Sequence, residues 1–365
     1  MQRFSDTYLD AQRQLGDPLA DKAVTSLFSQ PDKAKEWSQK LRAVRHNSQP
    51  VPECLPEEVH EFFSASAQLP GWADAELMRK GSDFFAFYSQ DIMSLLGYYS
   101  LPYCYASAKG VQVLHLSQRM GYDTMKRLSE TGNFVFESMT KDAFEPSGKG
   151  LRSIQQVRLL HASIRFHILQ QGKWDQKYYG LPINQEDMAG TNLAFSLIAV
   201  RGLRRLGHAP NPSSVHAFMH LWAVIGHILG IDTELIPQNA KEAYWLEKRI
   251  AQRHFEPSEE GRELMQALMD SYKEVLPPAL PKGFSASYIR YLMGDELGDL
   301  LGVPESDWSK ALVMQRKWLN MGASLIYSPE IADLDKRVAD TYKLTAGQVV
   351  VEPGYGISLG LGGKG

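Results

Sequence analysis

Three groups of side chains in this sequence have types and spacings that can do chemistry. The first is the run Val157-Arg158-Leu159-Leu160-His161-Ala162-Ser163-Ile164-Arg165. On a helix, at about 100° per residue, Arg158, His161 and Arg165 fall within about 60° of one another. Their neighbours Val157, Leu159, Leu160, Ile164 and Phe166 are apolar. Two arginines and a histidine on a mostly buried helix are costly unless each has a partner. Carboxylates from another helix would serve the arginines. So would a bound group carrying its own anions, and a metal would serve the imidazole. The second group is His216-x3-His220-x6-His227, within about 40° on one face. An i, i+4 histidine pair can bind zinc or iron. Position 217 is Ala, so the metallohydrolase pattern is absent, and the surrounding Phe218, Leu221, Trp222, Val224 and Ile225 also fit core or pocket-lining histidines. The third is Lys126-Arg127-Leu128-Ser129-Glu130-Thr131, where Arg127 and Thr131 share a helix face. By itself it reads as an ordinary helix surface.

Other motifs fail. Gly354-Tyr355-Gly356 has no helix-length segment after it, Gly148-Lys149-Gly150 lacks the rest of a phosphate loop, and Gly-x-Ser-x-Gly does not occur. Glu57-x-x-His60 has di-iron spacing but occurs once, where two copies are needed.

The elements that must position these groups are helical. Apolar residues recur at helical spacing over Asp21–Phe28, Ala34–Val44 and Leu55 to about Ser100, where Leu101-Pro102 interrupts the pattern. Val111–Met139 reads as two helices broken near Gly121. Leu151–Gln171 and Glu186–Leu206 end at Gly172 and Gly207. Pro212–Gly230 follows, with Ser213 or Ser214 as its N-cap. Further helices are expected near 240–254, 257–275, 284–301, 306–322 and 330–343, and one short strand at Val349–Glu352. The expected fold is therefore all-α. The Pro-rich stretch at Gln49–Glu53 divides an N-terminal helical extension, residues 1–52, from a helical domain over 53–345, and 346–365 forms a Gly-rich tail.

The 365 residues include 39 Lys plus Arg against 42 Asp plus Glu, a formal net charge of −3. That balance offers no basic field for nucleic acid. Two cysteines, Cys54 and Cys104, exclude a disulfide framework and a four-cysteine metal site within one chain. No secretory signal or transmembrane segment is read, so a soluble, cytoplasmic protein is expected. The oligomeric state stays open.

The order of these pieces resembles the latex-clearing-protein type of rubber oxygenase and, more broadly, the oxygenase family that includes the mycophenolic-acid-pathway enzyme. The resemblance is carried by Leu101-Pro102, Arg127-x3-Thr131, the Val157–Arg165 helix, Gly180-Leu181-Pro182-Ile183-Asn184-Gln185-Glu186-Asp187, and Trp222-x3-Gly226-x3-Gly230. It implies a haem b cofactor with its iron in a globin-like helical core. His161 falls at the proximal ligand, Arg158 and Arg165 at its flanking arginines, and Arg127 and Thr131 at the distal arginine and threonine. The rubber enzymes carry a lysine directly before that threonine. Here the position is Glu130, which the resemblance makes a candidate distal acid or base.

A neutral imidazole suits an axial haem ligand, and arginine forks suit propionates. Hydrogen-bonded partners are expected to hold the imidazole ring. The implied activity is dioxygenase-type: O2 cleaves a C=C bond in a small apolar isoprenoid- or lipid-like substrate. Two alternatives remain at this level: a non-haem metalloenzyme built on His216 and His220, and a non-enzymatic haem- or lipid-binding protein.

Overall fold

A computed structural model describes residues 3–119, 124–275 and 283–305. Gly121, the segments 306–322 and 330–343, Val349–Glu352 and the 346–365 tail lie outside the described residues. Among the described residues the chain is helical, with one isolated antiparallel bridge between Ser107 and Phe255. The N-terminal extension supplies α1 (Asp6–Gln12), α2 (Pro18–Phe28) and α3 (Pro31–Ala43). Then come α4 (Glu57–Ala65), α5 (Ala75–Leu95), α6 (Leu101–Tyr105), α7 (Val111–Arg119), α8 (Thr124–Met139) and α9 (Gly150–Gln170). The remainder is α10 (Gln176–Tyr179), α11 (Gln185–Leu193), α12 (Ala199–Arg205), α13 (Pro212–Ile228), α14 (Ala240–His254), α15 (Glu259–Val275), α16 (Phe284–Met293) and α17 (Asp295–Leu300).

Helix α13 is the axis of the core. Its Phe218, Leu221, Trp222, Val224 and Ile225 are all buried, as a helix apolar around most of its circumference must be. It packs against α5 at very short range. A Cβ on Gly81 of α5 would lie 2.7 Å from the Ala217 carbonyl oxygen, so only glycine permits this approach. The N-cap of α13 is Asn211, whose side chain accepts from Ser213 N–H at 2.9 Å. This corrects the expected Ser213 or Ser214 cap: Pro212 takes the first helical position, which places the cap one residue before it.

Two further boundaries differ from the sequence reading. Leu101-Pro102 does not interrupt the helical path. A π-helical turn, Leu96–Ser100, joins α5 to α6, and its wider winding accommodates a proline that cannot donate to the preceding turn. The expected helix at 284–301 is split at Gly294, whose φ of +93° lies in the left-handed region. A second π-helical turn, Ala194–Ile198, joins α11 to α12. The two π turns meet where Ser100 Oγ donates to the Ala194 carbonyl at 2.7 Å. Helices α9 and α12 end as expected near glycines with positive φ: Gly172 at +64° and Gly207 at +90°.

The N-terminal extension lies against the main body. Leu27, Trp37 and Leu41 share a buried cluster with Phe62, Leu159 and Ala162. The Asn184-Gln185-Glu186-Asp187 segment ties several elements together. Asn184 caps α11 by accepting from Asp187 N–H. Gln185 donates to the carbonyls of Gly16 and Gly230 and accepts from Asp232 N–H. Glu186, fully buried, is paired with Arg13, Arg253 and His254.

Candidate functional site

A cavity of about 760 Å³ lies within the helical body, reached by side chains from α5 through α9, α11, α13, α14 and α15. That volume is in the range of cofactor and small-molecule sites, about 300–1,000 Å³. Met93, Leu128, Ile164, Phe195 and Ile250 give it largely apolar walls. The π turns contribute Leu96, Gly97 and Tyr98 from one and Phe195 from the other, a setting in which π-helical turns recur.

The cavity brings together two of the groups read from sequence. His161 on α9 lines it, and so do Arg127, Glu130 and Thr131 on α8. His161 sits deep in the protein, and burial together with the nearby Arg165 charge holds its pKa down to about 4, against an opposing effect of Asp17. The ring is therefore neutral near pH 7, with one N–H and one lone pair. Its Nδ1 is buried and has no hydrogen-bond partner among the described residues. Among the described residues, the hydrogen-bonded support expected for that ring is not found at Nδ1.

Arg127 donates to the Ser117 hydroxyl and, at 3.4 Å, to the Leu114 carbonyl, which tethers its guanidinium to α7. Burial raises the pKa of Glu130 above the usual carboxylate value, opposed by the charges of Lys126, Arg127 and Arg42. Its Oε1 is buried without a hydrogen-bond partner among the described residues.

Arg158 and Arg165 behave differently from His161. Neither is among the residues lining the cavity. Arg158 forms a forked pair with Asp17, Nε to Oδ2 at 2.5 Å and Nη2 to Oδ1 at 2.8 Å, and also donates to the Ile228 carbonyl. Arg165 pairs with Asp21 and donates to the carbonyls of Pro182 and Ile183 at 2.9 and 2.8 Å. Internal carboxylates therefore take the place that propionates were expected to fill: the arginines dock α2 onto α9 and brace the helix that aims His161. Asp17 and Asp21 were missed because nothing local in the sequence links them to positions more than 140 residues away.

The α13 histidines do not converge on a metal site. His220 Nε2 accepts the Asp74 backbone N–H at 3.0 Å. His216 is exposed. The rings of His220 and His227 both contact the edge of Trp72. Among the described residues, no group of three or more His, Cys, Asp or Glu side chains is placed to hold a metal ion. A metal at the main cavity would need to bring most of its own ligands, and a tetrapyrrole does this, requiring from the protein a single neutral imidazole and an apolar chamber. His161 and the cavity fit that requirement.

The fold and site thus define an all-α protein with one neutral histidine and a distinct basic–acidic wall facing a large apolar chamber. The chain belongs to the family described as ER-bound oxygenase mpaB/B′/rubber oxygenase, catalytic domain, which matches residues 86–322. It is 25% identical over 281 residues to the rubber oxygenase of Streptomyces sp. (strain K30), covering 76% of this chain and 67% of that protein. Its fold matches the structure of latex clearing protein in the closed state with a TM-score of 0.78 at 22% identity, over 95% of this chain and 93% of the other. Among the described residues, no helix is long and apolar enough to cross a membrane.

Proposed function

We propose that this protein is a haem b-dependent oxygenase that cleaves a carbon–carbon double bond in an apolar isoprenoid- or lipid-like substrate. The observation that carries this reading is the neutral His161, its Nδ1 unpartnered, on the same cavity as Arg127, Glu130 and Thr131. Membership of an oxygenase family supports the reaction class. The haem, when bound, supplies the redox chemistry through which O2 reacts with the alkene. Both oxygen atoms end in the two carbonyl products, so no external reductant is consumed.

The chain's own residues bind and orient. His161 would hold the iron of a bound haem through a ring lone pair. Arg127, tethered through Ser117 and Leu114, keeps a positive charge on the α8 wall, where it would stabilise negative charge developing on oxygen. Thr131 adds a hydroxyl to the same wall. The raised pKa of Glu130 suits a group that takes up or returns a proton. The apolar walls hold the substrate chain and exclude water.

The test combines an absorption spectrum and a pyridine haemochrome assay with oxygen uptake on soluble isoprenoid alkenes. Near-stoichiometric haem b, alkene-dependent oxygen uptake and carbonyl products are expected, with His161→Ala losing haem and turnover together. A protein that stays colourless after haem reconstitution, or a His161→Ala variant with full haem and turnover, overturns the reading.

A further inference from the structure

Two buried polar atoms on the cavity wall have no hydrogen-bond partner among the described residues. Trp222 on α13 is 2% exposed and Asn192 on α11 is 9% exposed. Both line the cavity. Among the described residues, Trp222 Nε1 and Asn192 Oδ1 each lack a hydrogen-bond partner. An indole N–H can only donate, and an amide oxygen can only accept. Polar groups this deeply buried are nearly always satisfied by protein, water or ligand.

The residues that bear the two groups are linked through Gly226 and Phe195. A Cβ on Gly226 would lie 3.0 Å from Asn192 Nδ2, so the Asn192 amide rests directly on Gly226. The Phe195 ring packs 5.4 Å from the Trp222 ring, centroid to centroid. Trp222 and Gly226 are one turn apart on α13, with about 5–6 Å between Cβ positions. Asn192 and Phe195 are likewise about one turn apart across the end of α11. The donor and the acceptor therefore occupy successive rungs of one helix–helix contact. Gly226 is what lets the amide come this close.

We propose that this wall is a subsite for the hydroxyl group of an otherwise apolar substrate, with Trp222 donating to the hydroxyl oxygen and Asn192 Oδ1 accepting the hydrogen bond from its O–H. A hydroxyl satisfies both atoms at once. A carbonyl or ether satisfies only the indole, and a pure hydrocarbon satisfies neither. Leu229, Ile231 and Met188 supply apolar surface in the same cavity for the chain attached to the hydroxyl. The proposal rests on the reading above that this cavity takes an apolar, unsaturated substrate. It narrows that class to isoprenoid or lipid alcohols.

The test is equilibrium dialysis of the purified protein, with its native cofactor content, against farnesol, farnesyl methyl ether and farnesene. At equal free concentration the hydrophobic effect alone favours the hydrocarbon. The subsite reverses that order: farnesol is expected to bind at least tenfold tighter than farnesene, with the ether between them. Asn192→Leu and Trp222→Phe should each remove the preference and leave farnesene binding intact. The ether comparison needs no variant, so a variant that fails to fold does not block the test. Equal binding of all three ligands to the unaltered protein overturns the proposal, as would happen if ordered water satisfies both atoms. A farnesol preference that survives both substitutions also overturns it. Oxygen uptake measured on the same samples separates the two readings. An alcohol preference without oxygen uptake leaves the subsite standing and sinks the oxygenase. Oxygen uptake without the preference does the reverse.

Discussion

Arg165 holds Ile183 in a backbone conformation that isoleucine otherwise avoids. Ile183 has a φ of +53°, the only positive φ of a non-glycine residue among the described residues. For a β-branched side chain this is a strained position, costing about 1–2 kcal/mol. Arg165 donates to the carbonyl of Ile183 at 2.8 Å and to that of Pro182 at 2.9 Å, while Asp21 takes its remaining arm. Ile183 lines the cavity. The helix that presents His161 thus also fixes, one turn later, a loop residue in the wall of the same chamber.

That clasp depends on the planar fork of arginine. Arg165→Lys keeps the charge but cannot serve two carbonyls and Asp21 together. We expect a loss of about 1–3 kcal/mol in urea unfolding. Ligand binding in the cavity should weaken as well, because the 180–184 loop relaxes. Unchanged stability and unchanged binding would refute the clasp.

The depressed pKa of His161 makes stability depend on pH in a defined window. The unfolded chain takes up this proton near the ordinary histidine value, about 6.5. The folded protein resists it down to about 4. Between these values the unfolded state binds more protons. The contribution is therefore complete above about pH 6.5 and is lost progressively as pH falls toward 4, amounting to about 3 kcal/mol. In cofactor-free protein, His161→Gln should flatten the slope of unfolding free energy with pH across this window. An identical slope in the variant would place the proton elsewhere.

Glu130 carries the opposite sign. Its folded pKa is raised, chiefly by burial. The unfolded chain ionises first as pH rises, so ionisation of this group favours unfolding at neutral pH. Glu130→Gln should raise the melting temperature at pH 7 and have little effect at pH 4. If Glu130 moves a proton in the reaction, the same variant loses turnover while keeping its cofactor. Spectra and oxygen uptake on one sample separate these effects.

Among the described residues, the Arg158–Asp17 pair is one of two ionic ties between the N-terminal extension and α9, beside Arg165–Asp21. Asp17→Asn keeps an N-cap for α2 but leaves Arg158 without its counter-charge. Breaking a buried pair of this kind costs about 3–5 kcal/mol. Limited proteolysis should then cut within residues 1–50 far faster than in the unaltered protein. Equal cutting rates would show that this pair is not what holds the extension in place.

Much of this protein was set down in local sequence. Helical periodicity is a property of neighbouring residues, so the all-α class, the Arg158-His161-Arg165 stripe and the helix stops near Gly172 and Gly207 could be read directly. The shared face of Arg127 and Thr131 was equally local, but nothing in it marked that face as functional. Tertiary structure decided the partners. It gave the flanking arginines to Asp17 and Asp21, turned His220 toward the Asp74 backbone, and brought α8 and α9 to one cavity. It also left Trp222 and Asn192 unpartnered on that cavity's wall. The π turns and the Gly294 break escaped the periodic reading because one residue of altered winding barely changes a hydrophobic pattern. Which charge meets which, and which polar atom meets none, depends on packing between helices far apart in the chain, and the spacing of residues within a helix carries no record of it.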